Sequence, residues 1–115
     1  MIYTSYFANW RHFPKELKQV SIALYPPNPF FVIEAHELMP TQQLLHDIKT
    51  SKITEEQYVE EFNRQLSHLN PQEIKEKYDN SILLCYEKIT DFCHRHLVRK
   101  WLKANNVDCE ELLIK

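Results

Sequence analysis

The chain has 115 residues, 43% of them hydrophobic and 26% charged, and a net charge of −2 at pH 7. This length and composition are typical of one folded domain, and we expect a single α/β domain spanning residues 1–115. The apolar runs are too short for a membrane span, and the N-terminal MIYTSYFANW lacks the basic and apolar regions of a signal peptide. Because the chain has no general basic stripe, nucleic acid is not expected as its main partner.

The cysteine and glycine counts exclude further classes of protein. Three cysteines without scaffold spacing favour a reducing cytoplasm over a disulfide framework. The chain contains no glycine, where an average sequence of this length would have about eight. A Walker phosphate loop and a dinucleotide-binding fingerprint both require glycine, so neither is present. A bound phosphate would therefore be held by helix N-terminal amides and side chains.

The N-terminal part of the chain is predicted to form two strands. Ile2–Phe7 is rich in β-branched and aromatic residues, and Val20–Tyr25 alternates large and small side chains. Between them, Pro14–Lys18 is expected to form one short helical turn, since proline suits the first position of a helix. The PPNP stretch that follows ends the second strand. Phe30–Met39 fits either a short strand or an apolar loop.

After residue 40 the pattern is mostly helical. The predicted elements are helices at Thr41–Lys49, Thr54–Leu69, Asn70 to about Tyr78 and Phe92–Ala104, and strands at Ser81–Glu87 and Val107–Leu112. Thr54 to Gln57 form a capping box, and Pro71 suits the first helical position. Ser81–Glu87 (SILLCYE) is apolar on both faces, as expected of a central strand.

Strands separated by helices predict a parallel sheet. The expected fold class is therefore α/β: a small Rossmann-like layered domain with a mostly parallel sheet of about four strands and flanking helices.

The stretch 84–102, LCYEKITDFCHRHLVRKWL, concentrates reactive side chains at the end of the predicted central strand. The strand ends at Glu87, and the next helix begins near Phe92 with Asp91 as its natural N-cap. In parallel α/β sheets, ligands bind outside the carboxyl ends of strands, where helix N-termini point. A ligand site is therefore expected at this junction.

The first turn of that helix carries Cys93, His94 and Arg95. The apolar stripe of the helix includes His94, so its imidazole is expected to point back towards the sheet. Glu87 or Cys85, which share one face of the strand, could receive its proton. Arg95 lies on a flank of the helix and is placed to hold an anion together with the free backbone amides.

Four interpretations of this cluster fit the sequence. The first is an anion pocket formed by the helix amides and Arg95. The second is a reactive thiol, because Cys93 at a helix start beside an arginine ionises more readily. The third is zinc bound by Cys85, Cys93, His94 and His96, although helix residues one and two apart diverge. The fourth is a charged helix start over a hydrogen-bonded core histidine.

Several stretches also resemble a known protein family. MIYTSYFANWRHFP, SIALYPP, ELMPTQQLL and, above all, ILLCYEKITDFCHRHLVRKWL are similar to the domain-of-unknown-function 488 family, a set of small bacterial and phage proteins. The resemblance covers nearly the whole chain, and it implies a Rossmann-like α/β domain with a ligand site or active site but no particular reaction. The absence of glycine departs from many relatives. The family's shared block falls on Cys85, Glu87, Cys93, His94 and Arg95, with Ser5 and Tyr6 in the first strand.

We therefore expect a cytoplasmic protein that binds a phosphorylated or nucleotide-like ligand at the carboxyl end of strand 81–87 and the start of helix 92–104. The candidate catalytic residues, for thiol or acid–base chemistry, are Cys93, His94 and Glu87. No cofactor and no metal is expected. The candidate ligand-binding residues are Arg95, Ser5, Tyr6, Trp10, Arg11 and Cys85.

Two other functions fit the sequence. A structural zinc fold would use the cysteines and histidines of the cluster. A non-catalytic module for nucleic acid or a partner protein would use exposed aromatic residues with basic support. Its contact residues would be Tyr3, Trp10, Phe30, Phe31, Arg99, Lys100 and Lys103.

Overall fold

The computed structural model describes residues 1–25, 33–86 and 92–112, in which five strands form one sheet. The strands are β1 Ile2–Tyr6, β2 Lys18–Ser21, β3 Ile33–Glu34, β4 Ser81–Cys85 and β5 Cys109–Glu111. Their order is β3-β2-β4-β1-β5, and each of these neighbours pairs in parallel. The predicted α/β class and parallel sheet are confirmed, with five strands rather than about four. The additional strand, β3, lies in the segment that fitted either strand or loop.

Four α-helices accompany the sheet: α1 Gln42–Lys49, α2 Glu55–Ser67, α3 Pro71–Tyr78 and α4 His94–Ala104. The predicted capping box opens α2, where the Thr54 hydroxyl accepts from the Gln57 amide and the Gln57 side chain accepts from the Thr54 amide. Asn70 caps α3 in the same way, with Pro71 at its first position. No helix in the described part of the chain is long and apolar enough to cross a membrane.

The segment between β1 and β2 differs from its prediction. A 3₁₀ helix at Phe7–His12 follows β1, whereas Pro14–Lys18 forms a turn closed by a hydrogen bond from the Leu17 amide to the Pro14 carbonyl. β2 ends at Ser21, earlier than predicted, because the Ser21 hydroxyl oxygen accepts from the Ala23 amide at 3.2 Å and turns the chain. Three residues of the predicted second strand thus become a bend at the edge of the candidate site.

β4 is the central strand, paired with β1 on one side and β2 on the other, and all five of its residues are buried. Leu83 and Cys85 join the core formed with the four helices. Ile82 and Leu84 pack on the opposite face, against a smaller cluster that includes Phe7. The predicted division of this strand into two buried faces is confirmed, and it places Cys85 on the helix side.

Non-glycine residues occupy the left-handed backbone positions in the described part of the chain. Ser51, Asn80 and Asn106 have φ values of 60°, 59° and 64°. Asparagine tolerates this region better than most residues, because its short polar side chain bonds locally. The chain therefore makes these turns without glycine.

The strand order creates a crevice between β2 and β4. The chain leaves β2 for the outer strand β3, whereas it leaves β4 in the other direction, through α4 to β5 beyond β1. Connections that diverge from two adjacent parallel strands leave an open space outside their carboxyl ends, which is the usual ligand position in such sheets.

Candidate functional site

A pocket of about 270 Å³ opens at this divergence of β2 and β4. Its walls come from the bend after β2, the helix α1 and its preceding loop, one residue of α2, and the junction between β4 and α4. Aromatic rings line much of it: Tyr25, Tyr58, Tyr86 and Phe92. The wall also contains Cys85, Cys93 and His94, with the ammonium-bearing side chain of Lys49 at the end of α1. Three of the sequence-predicted site residues are thus brought together here.

The helix α4 begins at His94, two residues later than predicted, and its N-cap is Cys93. The Cys93 sulfur accepts the backbone N–H of Arg95 at 3.5 Å, which replaces one missing hydrogen bond of the first turn. The predicted N-cap, Asp91, and the predicted catalytic Glu87 lie outside the described residues. The capping role fixes the Cys93 sulfur at the helix entrance, where it faces the pocket.

Cys85 and Cys93 meet in the pocket wall, and the structure joins their sulfur atoms as a disulfide. The sequence analysis favoured a reducing environment over a disulfide framework and did not predict this pair. The odd cysteine count gave no sign of a pair, and the two residues lie eight apart on different types of element. The third cysteine, Cys109 on β5, is free and buried, and burial raises its pKa to about 12.

His94 is held by a backbone carbonyl, whereas its predicted partner Glu87 lies outside the described residues. Its Nε2 lies 2.6 Å from the Ile22 carbonyl oxygen, which can only accept, so Nε2 carries the proton. Nδ1 is then an unprotonated acceptor, and it lies 3.9 Å from the Cys93 sulfur. The imidazole also packs edge-on against Phe62. The carbonyl therefore fixes both the tautomer and the direction of the lone pair.

The His94 imidazole is neutral at pH 7. Burial, and to a smaller extent the neighbouring Arg95 and His96, lower the pKa of His94 to about 4, against the opposing effect of the bond to Ile22. The neutral imidazole directs its Nδ1 lone pair towards the Cys93 sulfur, which carries a proton only when the disulfide is reduced. The expectation that His94 points back towards the sheet is consistent with this position.

Arg95 lies behind the thiols, with none of its surface exposed. Its Nε and Nη2 atoms donate to the two carboxylate oxygens of Glu111 on β5, each at 3.1 Å. Its Nη1 atom donates to the Cys85 sulfur at 2.8 Å. Glu111 in turn accepts from the Thr4 hydroxyl at 2.6 Å. The predicted anion-binding arginine thus already has a carboxylate partner within the chain, and it does not line the pocket.

Tyr6 and Ser5, at the end of β1, lie on opposite faces of the sheet. Tyr6 is on the helix side, where the Arg95 guanidinium lies 5.6 Å from its ring centroid. Ser5 shares the other face with Tyr3 and Phe7, because side chains alternate along a strand. Its hydroxyl is buried and has no hydrogen-bond partner among the described residues. Neither side chain is part of the pocket wall.

Trp10 and Arg11 form a separate surface on the 3₁₀ helix after β1. Trp10 is 49% exposed, and the Arg11 guanidinium lies 5.2 Å from its ring centroid. The wall that faces Cys93 is formed instead by the bend after β2 and by α1. Trp10 and Arg11, predicted as ligand-binding residues, are not part of the pocket wall.

Three groups near the site were missed by sequence analysis. The Ile22 carbonyl carries no side-chain signal at all. Glu111 lies in a correctly expected strand, and an acidic residue beside a buried β1 could have suggested a partner for Arg95. Lys49 lies at the end of a correctly predicted helix, but only the packing of α1 against the sheet brings it to the pocket.

The zinc interpretation needs three or more ligands at one point. Within residues 1–25, 33–86 and 92–112, no group of three His, Cys, Asp or Glu side chains has the arrangement of a metal site. Cys85 and Cys93 are joined to one another, and His94 is directed at Ile22.

Comparison with known proteins gives one match. A protein-family model, DUF488-N3a, described as "Active DUF488-N3 subclade", matches residues 7–106. The matched range includes every pocket residue named above. No curated protein and no solved structure shows a significant match.

Proposed function

The chain belongs to the DUF488-N3a family, and we propose that it binds a phosphorylated or nucleotide-like small molecule in the pocket between β2 and β4, with Cys93 as the reacting thiol. The observation that carries this proposal is the geometry of Cys93 and His94. A nucleophile at a helix N-terminus faces a neutral base, and a third group orients that base. The three groups line or border one concave site.

The chemistry of such a site is nucleophilic substitution at carbon. The Cys93 sulfur forms a bond to an electrophilic carbon of the ligand while the bond between that carbon and its leaving group breaks. The thiol proton passes through Nδ1 of His94 to the leaving group. The N-terminal end of α4 stabilises negative charge that develops beside Cys93. Glu87, which follows the pocket residue Tyr86, remains a predicted acid–base group.

The pocket wall favours a small ligand with a planar ring. Tyr25, Tyr58, Tyr86 and Phe92 offer ring surfaces for stacking. A volume of about 270 Å³ is close to the lower limit of about 300 Å³ for small-molecule pockets, which suits a nucleoside or sugar phosphate better than a dinucleotide.

Lys49 is the group best placed to bind the phosphate of such a ligand. Lys49 lies in the pocket wall and is exposed to solvent. It forms no ion pair with another described residue. Arg95 was the predicted anion ligand, but its pairing with Glu111 favours a role behind the pocket. The phosphate would thus meet Lys49 and the start of α4.

A thermal-shift experiment on the reduced protein tests this proposal. Adenosine, AMP and ribose 5-phosphate should each be titrated, because a ligand that binds the folded state raises the unfolding temperature with concentration. Lys49→Ala should weaken binding of the phosphorylated compounds about fivefold and leave adenosine unaffected. Lys52→Ala, an exposed lysine outside the pocket, is the matched control. Absence of any shift in the wild-type protein, or equal effects of the two variants, would contradict the proposal.

A second candidate function rests on Trp10. Its exposed ring, stacked with Arg11, resembles the stacking platforms that bind single-stranded nucleic acid or a partner protein. Lys103, predicted to support such a surface, is paired with Glu110 at 2.8 Å, and Phe30 and Phe31 lie outside the described residues. Binding of a single-stranded oligonucleotide that falls with salt and is lost in Trp10→Ala would favour this function over the first.

A further inference from the structure

The proposed function uses Cys93 and leaves Cys85 without a role. Cys85 is buried at the carboxyl end of β4, yet it lines the same pocket and its sulfur is joined to that of Cys93. A strand end and a helix N-cap thus bring two thiols together at a place that a small molecule can reach. The two residues come from separate elements, so their meeting is a property of the fold.

The charged group behind the pair is directed at one of the two sulfurs. Glu111 occupies Nε and Nη2 of Arg95, while Nη1 is aimed at the Cys85 sulfur. A guanidinium hydrogen bond at this distance stabilises a thiolate relative to a thiol. Cys93 has a different environment, with the neutral His94 and the helix amide of Arg95. The two sulfurs are therefore unequal.

We propose that Cys85 and Cys93 are a reversible two-electron redox couple that exchanges with a small disulfide, in which Cys93 reacts first and Cys85, held as a thiolate by Arg95, closes the bond. This inference rests on one part of the proposed function, namely that Cys93 is the reacting thiol of the pocket. It adds an activity of the same site, and it assigns Arg95 as a positioning residue.

The exchange proceeds in two balanced steps. The Cys93 sulfur attacks one sulfur of R–S–S–R, the disulfide bond breaks, and the leaving R–S⁻ takes up the Cys93 proton through His94 Nδ1. The Cys85 thiolate then attacks the Cys93 sulfur of the mixed disulfide and releases the second R–S⁻, which is protonated by water. The two protein thiols are oxidised to the Cys85–Cys93 disulfide, and one small disulfide is reduced to two thiols. A small dithiol reverses the reaction.

The oxidised state removes the nucleophile that the proposed function requires. With its sulfur bonded to Cys85, Cys93 cannot attack a ligand, whereas the aromatic walls and Lys49 remain in place. Chemistry on a ligand is then confined to the reduced protein.

Whole-protein mass spectrometry tests the couple directly. The wild-type protein is reduced with dithiothreitol, desalted and treated with 2-hydroxyethyl disulfide. We expect the loss of two hydrogens without a lasting adduct, and a Cys85–Cys93 link in the peptide map. Cys85→Ser should retain one mercaptoethanol adduct on Cys93, and Cys93→Ser should react far more slowly. A stable adduct on the wild-type protein, or a link that involves Cys109, would overturn the proposal.

The role of Arg95 needs variants that fold. Arg95→Met alone leaves the largely buried Glu111 carboxylate without its cationic partner, so the double variant Arg95→Met, Glu111→Leu removes both charges together. The resolution of the mixed disulfide should slow about tenfold or more in this variant, because the thiolate at Cys85 is lost. Arg95→Lys, which keeps the charge, should restore most of the rate. An unchanged rate in the double variant would overturn the assignment of Arg95.

The outcomes for the couple and for the ligand site are separable. The nucleotide titration is carried out on the reduced protein, and the exchange reaction is carried out without nucleotide. Failure of the exchange therefore leaves ligand binding to be judged by its own experiment, and failure of ligand binding leaves the redox couple to be judged by its mass change.

Discussion

The two sides of the first turn of α4 differ in charge. On the pocket side, Cys93 and His94 lie among aromatic rings, and burial keeps His94 neutral. On the sheet side, Arg95 and Glu111 form a buried ion pair between α4 and β5. Within one turn of α4, the surface that faces the pocket is thus uncharged, and the surface that faces the sheet carries an ion pair.

This difference shows how a charge can act on a site without entering it. A buried guanidinium is costly unless a carboxylate neutralises it, and Glu111 does so with two hydrogen bonds. An N–H of Arg95 Nη1 reaches the Cys85 sulfur from behind. The pocket wall contains Cys85, Cys93 and Lys49, but not Arg95.

The largest expected change in stability follows from removal of the Glu111 carboxylate. Glu111→Ala leaves Arg95 charged, buried and without its main partner, and should lower the free energy of unfolding by about 3–5 kcal/mol. Urea denaturation measures this change. Glu110→Ala is the matched control, since Glu110 precedes it on β5 and also pairs with a residue of α4, Lys103, but in solvent.

The control should show a much smaller loss, because exposed ion pairs contribute little. Equal losses in the two variants would mean that the Arg95–Glu111 pair contributes no more to the free energy of unfolding than the exposed Lys103–Glu110 pair. The comparison between the two sides of α4 would then fail.

The second expected effect is a loss of stability at acidic pH, caused by the neutral His94 on the pocket side of α4. Unfolded histidine has a pKa near 6.5, whereas the pKa of His94 in the folded protein is about 4. Between these values the unfolded state takes up a proton that the folded state does not, so stability falls as pH decreases from 6.5 to 4. This difference amounts to about 3 kcal/mol.

His94→Gln provides the control, because the glutamine amide can still donate to the Ile22 carbonyl but does not titrate. Denaturation of both proteins at several pH values isolates the histidine, since their shared carboxylates cancel. The wild-type protein should lose stability relative to the variant on acidification. Parallel pH curves would show that His94 is not held neutral by burial.

Much of the fold, and part of the site, follows from local pattern. The alternation of SILLC, the Thr54 capping box and the Asn70-Pro71 start predicted β4, α2 and α3 because each depends on a few neighbouring residues. The position of Cys93 and His94 followed from the rule for strand ends in parallel sheets.

The rest depends on strand order, which no local pattern contains. Arg95 meets Glu111 because β5 pairs with β1, and the pocket faces β2 because β2 lies beside β4. The acceptor for His94 Nε2 could not be found from side chains, since the bend after β2 presents the Ile22 carbonyl. These contacts join residues that are distant in sequence.

The smallest expected effect concerns Cys109, which differs from Cys85 and Cys93 in having no disulfide partner. Cys109→Ala removes one buried sulfur from β5 and should lower the free energy of unfolding by about 1 kcal/mol. Because Cys109 does not line the pocket, closure of the Cys85–Cys93 bond should proceed at the wild-type rate. A slower closure in this variant would show that the third cysteine takes part in the exchange.

The central claim, that Cys93 is the reactive thiol of the pocket, is tested most directly by alkylation of the reduced, folded protein. Iodoacetamide labelling, followed by peptide mass spectrometry over time, ranks the three cysteines. We predict that Cys93, at the entrance to α4, is labelled first and that Cys85 follows, because the Cys85 sulfur is more deeply buried, against Arg95, and is harder for the reagent to reach. Cys109, with its pKa near 12, should be labelled only on unfolding. Equal and slow labelling of all three cysteines in the folded protein would contradict the account.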